Sequence, residues 1–159
     1  MGDDEEATLR TLSAYRRIID RLIKGHHGRF VNSAGDSLLA EFSSVVEAVN
    51  CAVEVPNALS AENSHLPQTR RMEFRIGINL GVVMNHAGQI YGEGVNVAAR
   101  LQSLAEPGGI CISRTVYDQI GSELQLAFED IGEQTVKNIA EPVRIFRVME
   151  TVKRPAQRP

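Results

Sequence analysis

Ten residues, Tyr91-Gly92-Glu93-Gly94-Val95-Asn96-Val97-Ala98-Ala99-Arg100, constrain this chain more than any other stretch. Two glycines loosen the backbone just ahead of a run that reads as helix. Val97, Ala98 and Leu101 fall where they can face a core. Asn96 and Arg100 are four apart, which on a helix sets an amide and a guanidinium side by side on one face. Beside a glycine-rich entry, that pair suits an anion whose charge grows during a reaction. The same residues also fit a polar, solvated helix face behind a glycine turn.

The rest of the chain supplies elements for that helix to pack on. Residues 3–24 read as a helix, with Asp3, Asp4, Glu5 and Glu6 in the first turn and Leu9, Leu12, Tyr15, Ile18, Ile19, Leu22 and Ile23 at helical spacing. Gly25 and Gly28 end it, and His26-His27 between them read as a solvated turn. Arg29–Phe42 reads as strand, tight turn, strand, with Gly35-Asp36 as the turn. Ser43 or Ser44 caps a second helix over 45–62, where Pro56 is expected to kink or shorten it. Residues 63–70 read as a polar loop. Met72–Leu80 alternates and reads as a strand that Val82-Val83-Met84 prolongs, with a turn over Asn85–Gly88. After the central helix come a turn at Pro107-Gly108-Gly109, a short buried strand Ile110-Cys111-Ile112, and a short helix from Arg114 to Ile120. Leu124–Met149 reads as two or three strands with Gly132 and Pro142 at turns, and residues 151–159 as a disordered tail. Strands alternating with helices, two of them through hairpin-like links, predict an α+β sandwich with a mixed sheet and helices on one face.

Composition limits the function classes. A chain of 159 residues fits one domain with a real core, and 43% hydrophobic with 23% charged residues is a globular balance. The net charge of −3 with no long basic patch does not favour a nucleic-acid partner. No apolar run reaches membrane-spanning length, and nothing at the start resembles a signal peptide. Cys51 and Cys111 lie far apart in apolar surroundings, which reads as buried thiols in a reducing compartment, hence the cytoplasm or the cytoplasmic side of something larger.

These pieces together resemble the class III adenylate/guanylate cyclase catalytic domain. The resemblance is carried by Gly35-Asp36, Phe74–Gly81, Tyr91–Leu101, Glu106–Ser113, and Lys137-Asn138-Ile139 with Pro142-Val143, in the family's order over residues 5–148. It implies a ferredoxin-like core within residues 1–150, a homodimer, and sites in the cleft between subunits. It also implies the reaction: the ribose 3′-hydroxyl of ATP, or of GTP, attacks the α-phosphate, and pyrophosphate leaves a 3′,5′-cyclic nucleotide. Two divalent ions, Mg²⁺ or Mn²⁺, serve that chemistry. By the resemblance, Asp36 is the second of two metal-binding aspartates, Asn96 orients the ribose, Arg100 stabilises charge on the α-phosphate, and Lys137 holds the terminal phosphates. Asp36 would come from one subunit, with Asn96, Arg100 and Lys137 from the other.

Three departures from the family pattern stand out. The opening strand with the first metal aspartate would lie before Met1, so the chain as written is expected to be truncated relative to the family and poorly active. Asn32 stands where adenylate cyclases of this type place a base-reading lysine, and Gln89 where they place an aspartate or threonine. Amides both donate and accept, so the base preference stays open between adenine and guanine. A degenerate cyclase-like module that binds nucleotide or a partner without turnover is the alternative reading.

Overall fold

The computed structural model describes residues 2–34, 37–66, 73–120, 123–137 and 139–149. The chain divides after Phe74 into two compact units.

The first unit comprises α1 (Gly2–Gly25), β1 (Gly28–Ala34), β2 (Ser37–Phe42) and α2 (Val45–Asn63). The apolar stripe of α1 delivers Tyr15, Ile19 and Ile23 to the interior, while α2 buries Val49, Cys51, Ala52, Val55 and Leu59. Tyr15 is fully buried. Its hydroxyl donates to the Asn63 side chain, and its ring meets Phe74 edge-on at 6.0 Å between centroids. β1 and β2 pair antiparallel from Gly28↔Phe42 to Ala34↔Ser37, with a register shift between Phe30 and Asn32. Ser44 caps α2, its hydroxyl accepting from the Glu47 N–H at 3.3 Å. Pro56 does not shorten α2, which runs on to Asn63. Burial of Val55 and Leu59 on either side of the proline offsets the backbone hydrogen bond it cannot make.

The second unit comprises β3 (Ile76–Ile78), β4 (Met84–His86), β5 (Gln89–Tyr91), α3 (Glu93–Leu104), β6 (Ile110–Ser113), α4 (Arg114–Ile120), β7 (Ala127–Gln134) and β8 (Val143–Met149). Its sheet has the order β3-β6-β8-β7, parallel between β3 and β6 and antiparallel elsewhere, and β4 and β5 form a separate hairpin. The mixed sheet and its helices agree with the α+β expectation. A parallel β3–β6 pair needs a crossover, and α3 lies within it. Gly77 explains how closely that helix sits. A Cβ there would lie 2.5 Å from the Ala98 carbonyl oxygen and 2.8 Å from Leu101 Cβ, so only glycine admits α3 at this distance. Val97, Leu101, Ala105, Cys111 and Ile145 form the core beneath, with Leu104, Ile131, Ile139 and Val143 packed on it.

Three expectations are corrected in this unit. The strand read over 72–80 is confined among the described residues to Ile76–Ile78, because its pairing with β6 spans only three residues. Val82-Val83-Met84 does not prolong it; Met84 instead opens β4, and the turn narrows to Ala87-Gly88, both at positive φ. Gly132 is no turn between strands. It sits inside β7 at a bulge, with φ of 94°, its N–H held by Asp130 Oδ1 at 2.9 Å. Leu124–Met149 thus holds two strands among the described residues. The Gly35-Asp36 turn, the loop residues 67–70 and the tail 151–159 lie outside the described residues.

Candidate active site

The entry to α3 is built from backbone. Gly92 occupies the cap position with φ of 118°, a conformation that favours glycine, and no side chain caps the helix. The Val95 and Asn96 N–H groups both donate to the Gly92 carbonyl, at 3.1 and 3.2 Å. The segment after β3 then closes on the first turn: the Gly94 N–H donates to the Val82 carbonyl at 3.2 Å. Gly94 is buried, and a Cβ on it would stand 2.9 Å from both the Val82 oxygen and Val83 Cγ1.

With Val97 and Leu101 buried, the helix period turns Asn96 and Arg100 outward, and both side chains are exposed. Neither has a hydrogen-bonding or ionic partner among the described residues. An unpaired guanidinium beside an unpaired amide on a fixed helix can grip an incoming anion without first breaking protein contacts. Lys137 is also exposed, and it lies outside the strands. It lies in a turn closed by the Ile139 N–H on the Val136 carbonyl at 3.0 Å. Val136 is buried, and Ile139 packs on the same core cluster as Val97 and Leu101. The core under α3 therefore also anchors the Lys137 turn.

Gln89 opens β5 and is half-buried, with the neighbouring Ile90 buried. Gln89, Asn96, Arg100 and Lys137 thus all belong to the second unit. Asn32 is half-buried in the first unit, at the register shift of β1. Asp36 lies outside the described residues. Among the described residues no three histidines, cysteines or carboxylates gather to hold a metal ion.

In the His26-His27 turn, His27 is solvated as expected, while His26 departs from that reading. His26 places Nδ1 3.2 Å from Glu47 and Nε2 3.2 Å from Glu54, while His27 Nδ1 lies 3.3 Å from Glu47. Hydrogen bonding from His26, opposed by a smaller effect of burial and then aided by His27, holds the Glu47 carboxyl below its ordinary range. Burial, reinforced by Glu54 and Glu47, pushes the Cys51 thiol up to about 11. Burial also raises Cys111, and both cysteines are free. Neither thiol is poised as a nucleophile at neutral pH.

Sequence reading missed Asn79, Ser113 and Thr115. Asn79 Nδ2 donates to the Gly94 carbonyl at 3.0 Å. The Thr115 hydroxyl donates to the Leu80 carbonyl at 2.7 Å and lies 2.9 Å from the buried Ser113 hydroxyl. These contacts join segments 15 and 35 residues apart, so no local spacing signals them.

The comparisons with known proteins agree with this geometry. The family model described as the adenylate and guanylate cyclase catalytic domain matches residues 3–150. A putative adenylate cyclase 3 of Rhizobium meliloti is 40% identical over 147 residues, covering 92% of this chain and 25% of that protein. The chain spans only 18% to 34% of the length of that protein and the curated relatives that follow it. The crystal structure of an adenylate/guanylate cyclase/hydrolase from Silicibacter pomeroyi superposes with a TM-score of 0.86 at 37% identity, over 92% of this chain and 87% of that one. The adenylyl cyclase CyaB from P. aeruginosa shares the fold, with a TM-score of 0.76 at 23% identity over 91% and 83% of the two chains. No helix among the described residues is long and apolar enough to cross a membrane. The chain belongs to the adenylate and guanylate cyclase catalytic domain family.

Proposed function

We propose that this domain cyclises a nucleoside triphosphate, ATP or GTP, with pyrophosphate as the leaving group. The observation that carries the reading is α3: a helix locked on its inner face by Gly77, Val97 and Leu101 that presents the Asn96 and Arg100 side chains outward, without partners among the described residues. Asn96 orients the ribose, so that the 3′-hydroxyl faces the α-phosphorus. Arg100 meets the charge that builds on the α-phosphate as the new P–O bond forms and the bond to pyrophosphate breaks. Lys137, on its core-anchored turn, holds the terminal phosphates as a point charge. Asn32 and Gln89 read the base. Divalent metal use is general to this family; we assign Asp36 to an ion, Mg²⁺ or Mn²⁺, which when bound supplies charge that lowers the pKa of the attacking hydroxyl.

The site is assembled by two copies of the chain. Leu80, Val82, Val83, Met84 and Tyr91 are all exposed around the β4–β5 hairpin, an apolar surface suited to a second copy. The two buried, unpaired thiols fit a reducing compartment, the cytoplasm.

Chromatographic detection of the 3′,5′-cyclic nucleotide and pyrophosphate from ATP and from GTP, with Mg²⁺ or Mn²⁺, tests the activity. Asn32 and Gln89 favour the second reading, a module that binds nucleotide without turnover. Tight triphosphate binding with no cyclic product would select it. Asn32→Lys combined with Gln89→Asp should shift the ratio of ATP to GTP use or binding; an unchanged ratio removes both residues from base reading.

A further inference from the structure

We infer that Asn79 is a positioning residue for Asn96 and Arg100, acting through the first turn of α3; the catalytic part of this rests on the cyclase reading above. Residues 79–82 hold both backbone polar groups of Gly94. Asn79 Nδ2 donates to the Gly94 carbonyl at 3.0 Å, and the Val82 carbonyl accepts from the Gly94 N–H at 3.2 Å. Gly94 is two residues before Asn96, in a turn that lacks any side-chain cap of its own. The Val82 carbonyl therefore does from outside the helix what an N-cap side chain does, accepting an N–H of the first turn, and Asn79 fixes the Gly94 carbonyl and with it the roll of that turn.

Glycines make the close approach possible. A Cβ on Gly81 would stand 3.0 Å from Asn79 Nδ2 and 3.3 Å from Gly94 Cα, so the segment lies directly against the helix start. The segment is pinned in turn from α4. The Thr115 hydroxyl donates to the Leu80 carbonyl at 2.7 Å and lies 3.5 Å from Asn79 Oδ1, and Ser113 supports Thr115 at 2.9 Å. Ser113 is almost wholly buried at the end of β6, the strand that pairs with β3. The chain of contacts thus runs from the sheet through Ser113, Thr115 and Asn79 to the turn that carries Asn96. Asn79 holds the helix by donating through its N–H₂, while its oxygen faces the Thr115 hydroxyl.

Three variants separate this from a merely structural role. Asn79→Ala should lower kcat by about ten- to a hundredfold while KM changes less than about threefold, since a small misplacement of reacting groups acts on the transition state. Asn79→Asp has the same shape but offers the Gly94 carbonyl no donor, and it should lose as much. Asn79→His returns an N–H and should recover part of the kcat. Hydrogen exchange reads the clamp directly: the Gly94, Val95 and Asn96 amides should exchange faster in Asn79→Ala than in the wild type, with the sheet amides unchanged. Unchanged kcat, an Asn79→Asp variant as active as wild type, or kcat and KM worsening in step with a falling melting temperature would each overturn the inference. A wild-type chain that makes no cyclic product from either nucleotide refutes the cyclase reading instead. The exchange rates at Gly94–Asn96 then still judge the clamp, and unchanged rates overturn it.

Discussion

Arg100 and Lys137 are both exposed cations of one unit, yet they should fail differently. In the roles proposed above, Lys137 would act on charge that the terminal phosphates carry before reaction, so Lys137→Ala should raise KM more than it lowers kcat. Arg100 would be needed most when the α-phosphate is in transit, so Arg100→Ala should lower kcat more than it raises KM. Steady-state kinetics on the two variants checks the split, and identical behaviour would remove the distinction. Glu47 supplies a pH test. Its carboxyl is held below the ordinary 4.5 by His26 and His27, so the folded state binds fewer protons than the unfolded state in that range. The stability it contributes is present above the unfolded pKa and is lost as pH falls through the lowered folded value. Urea midpoints should decline below about pH 4.5, and Glu47→Gln should flatten that decline. At this scale the sequence showed Asn96 and Arg100 together because helix periodicity is local. It did not show that His26 stands between two carboxylates of another helix.

Among the elements, the β3–α3 contact decides where the site residues stand. A methyl group on Gly77 would strike helix backbone, which cannot rotate away as a side chain can. Gly77→Ala should cost about 1–3 kcal/mol in chemical denaturation. It should also reduce activity beyond the loss of folded protein, since α3 must move outward. A variant with wild-type stability would show that the helix has room. The same element exposes the limit of strand reading. Met72–Leu80 alternates through all nine positions, but among the described residues pairing with β6 engages only Ile76–Ile78. Alternation reports a half-buried extended chain and not the length of its hydrogen-bonding partner. Gly132 carries the same lesson: a glycine at positive φ serves a hairpin turn or a bulge equally well, and the β7–β8 register makes it a bulge.

For the whole molecule, assembly is the property that matters most. Val82 is 83% exposed and Met84 63%, and they lie beside exposed Leu80, Val83 and Tyr91. Apolar groups left in water at this density are stabilised when a second copy covers them. The wild-type chain should therefore sediment as a dimer. Val82→Glu with Met84→Glu should shift it to monomer with its circular dichroism intact, because both side chains are solvent-facing. Cyclisation should fall with the dimer if, as proposed, Asp36 and the Asn96–Arg100–Lys137 group come from different copies. A wild-type chain that sediments only as monomer at high concentration, yet turns over nucleotide, would show that one copy suffices.

The chain's own residues determined the succession of helices and strands, the inward Val97 and Leu101, the outward Asn96 and Arg100, and the family itself. All of these are local patterns or short motifs in order, and local patterns survive without knowledge of the fold. Tertiary structure alone decided the rest. It drew α2 through Pro56, because burying Val55 and Leu59 outweighs one lost backbone bond. It placed Lys137 on a turn held by the core under α3. It also brought Asn79 to the Gly94 carbonyl across 15 residues, and Thr115 to Leu80 across 35. Such contacts depend on where the whole backbone closes, and the energy that selects them is set by packing density and by the need to pair every buried polar group. Neither quantity is written at any single position in the chain.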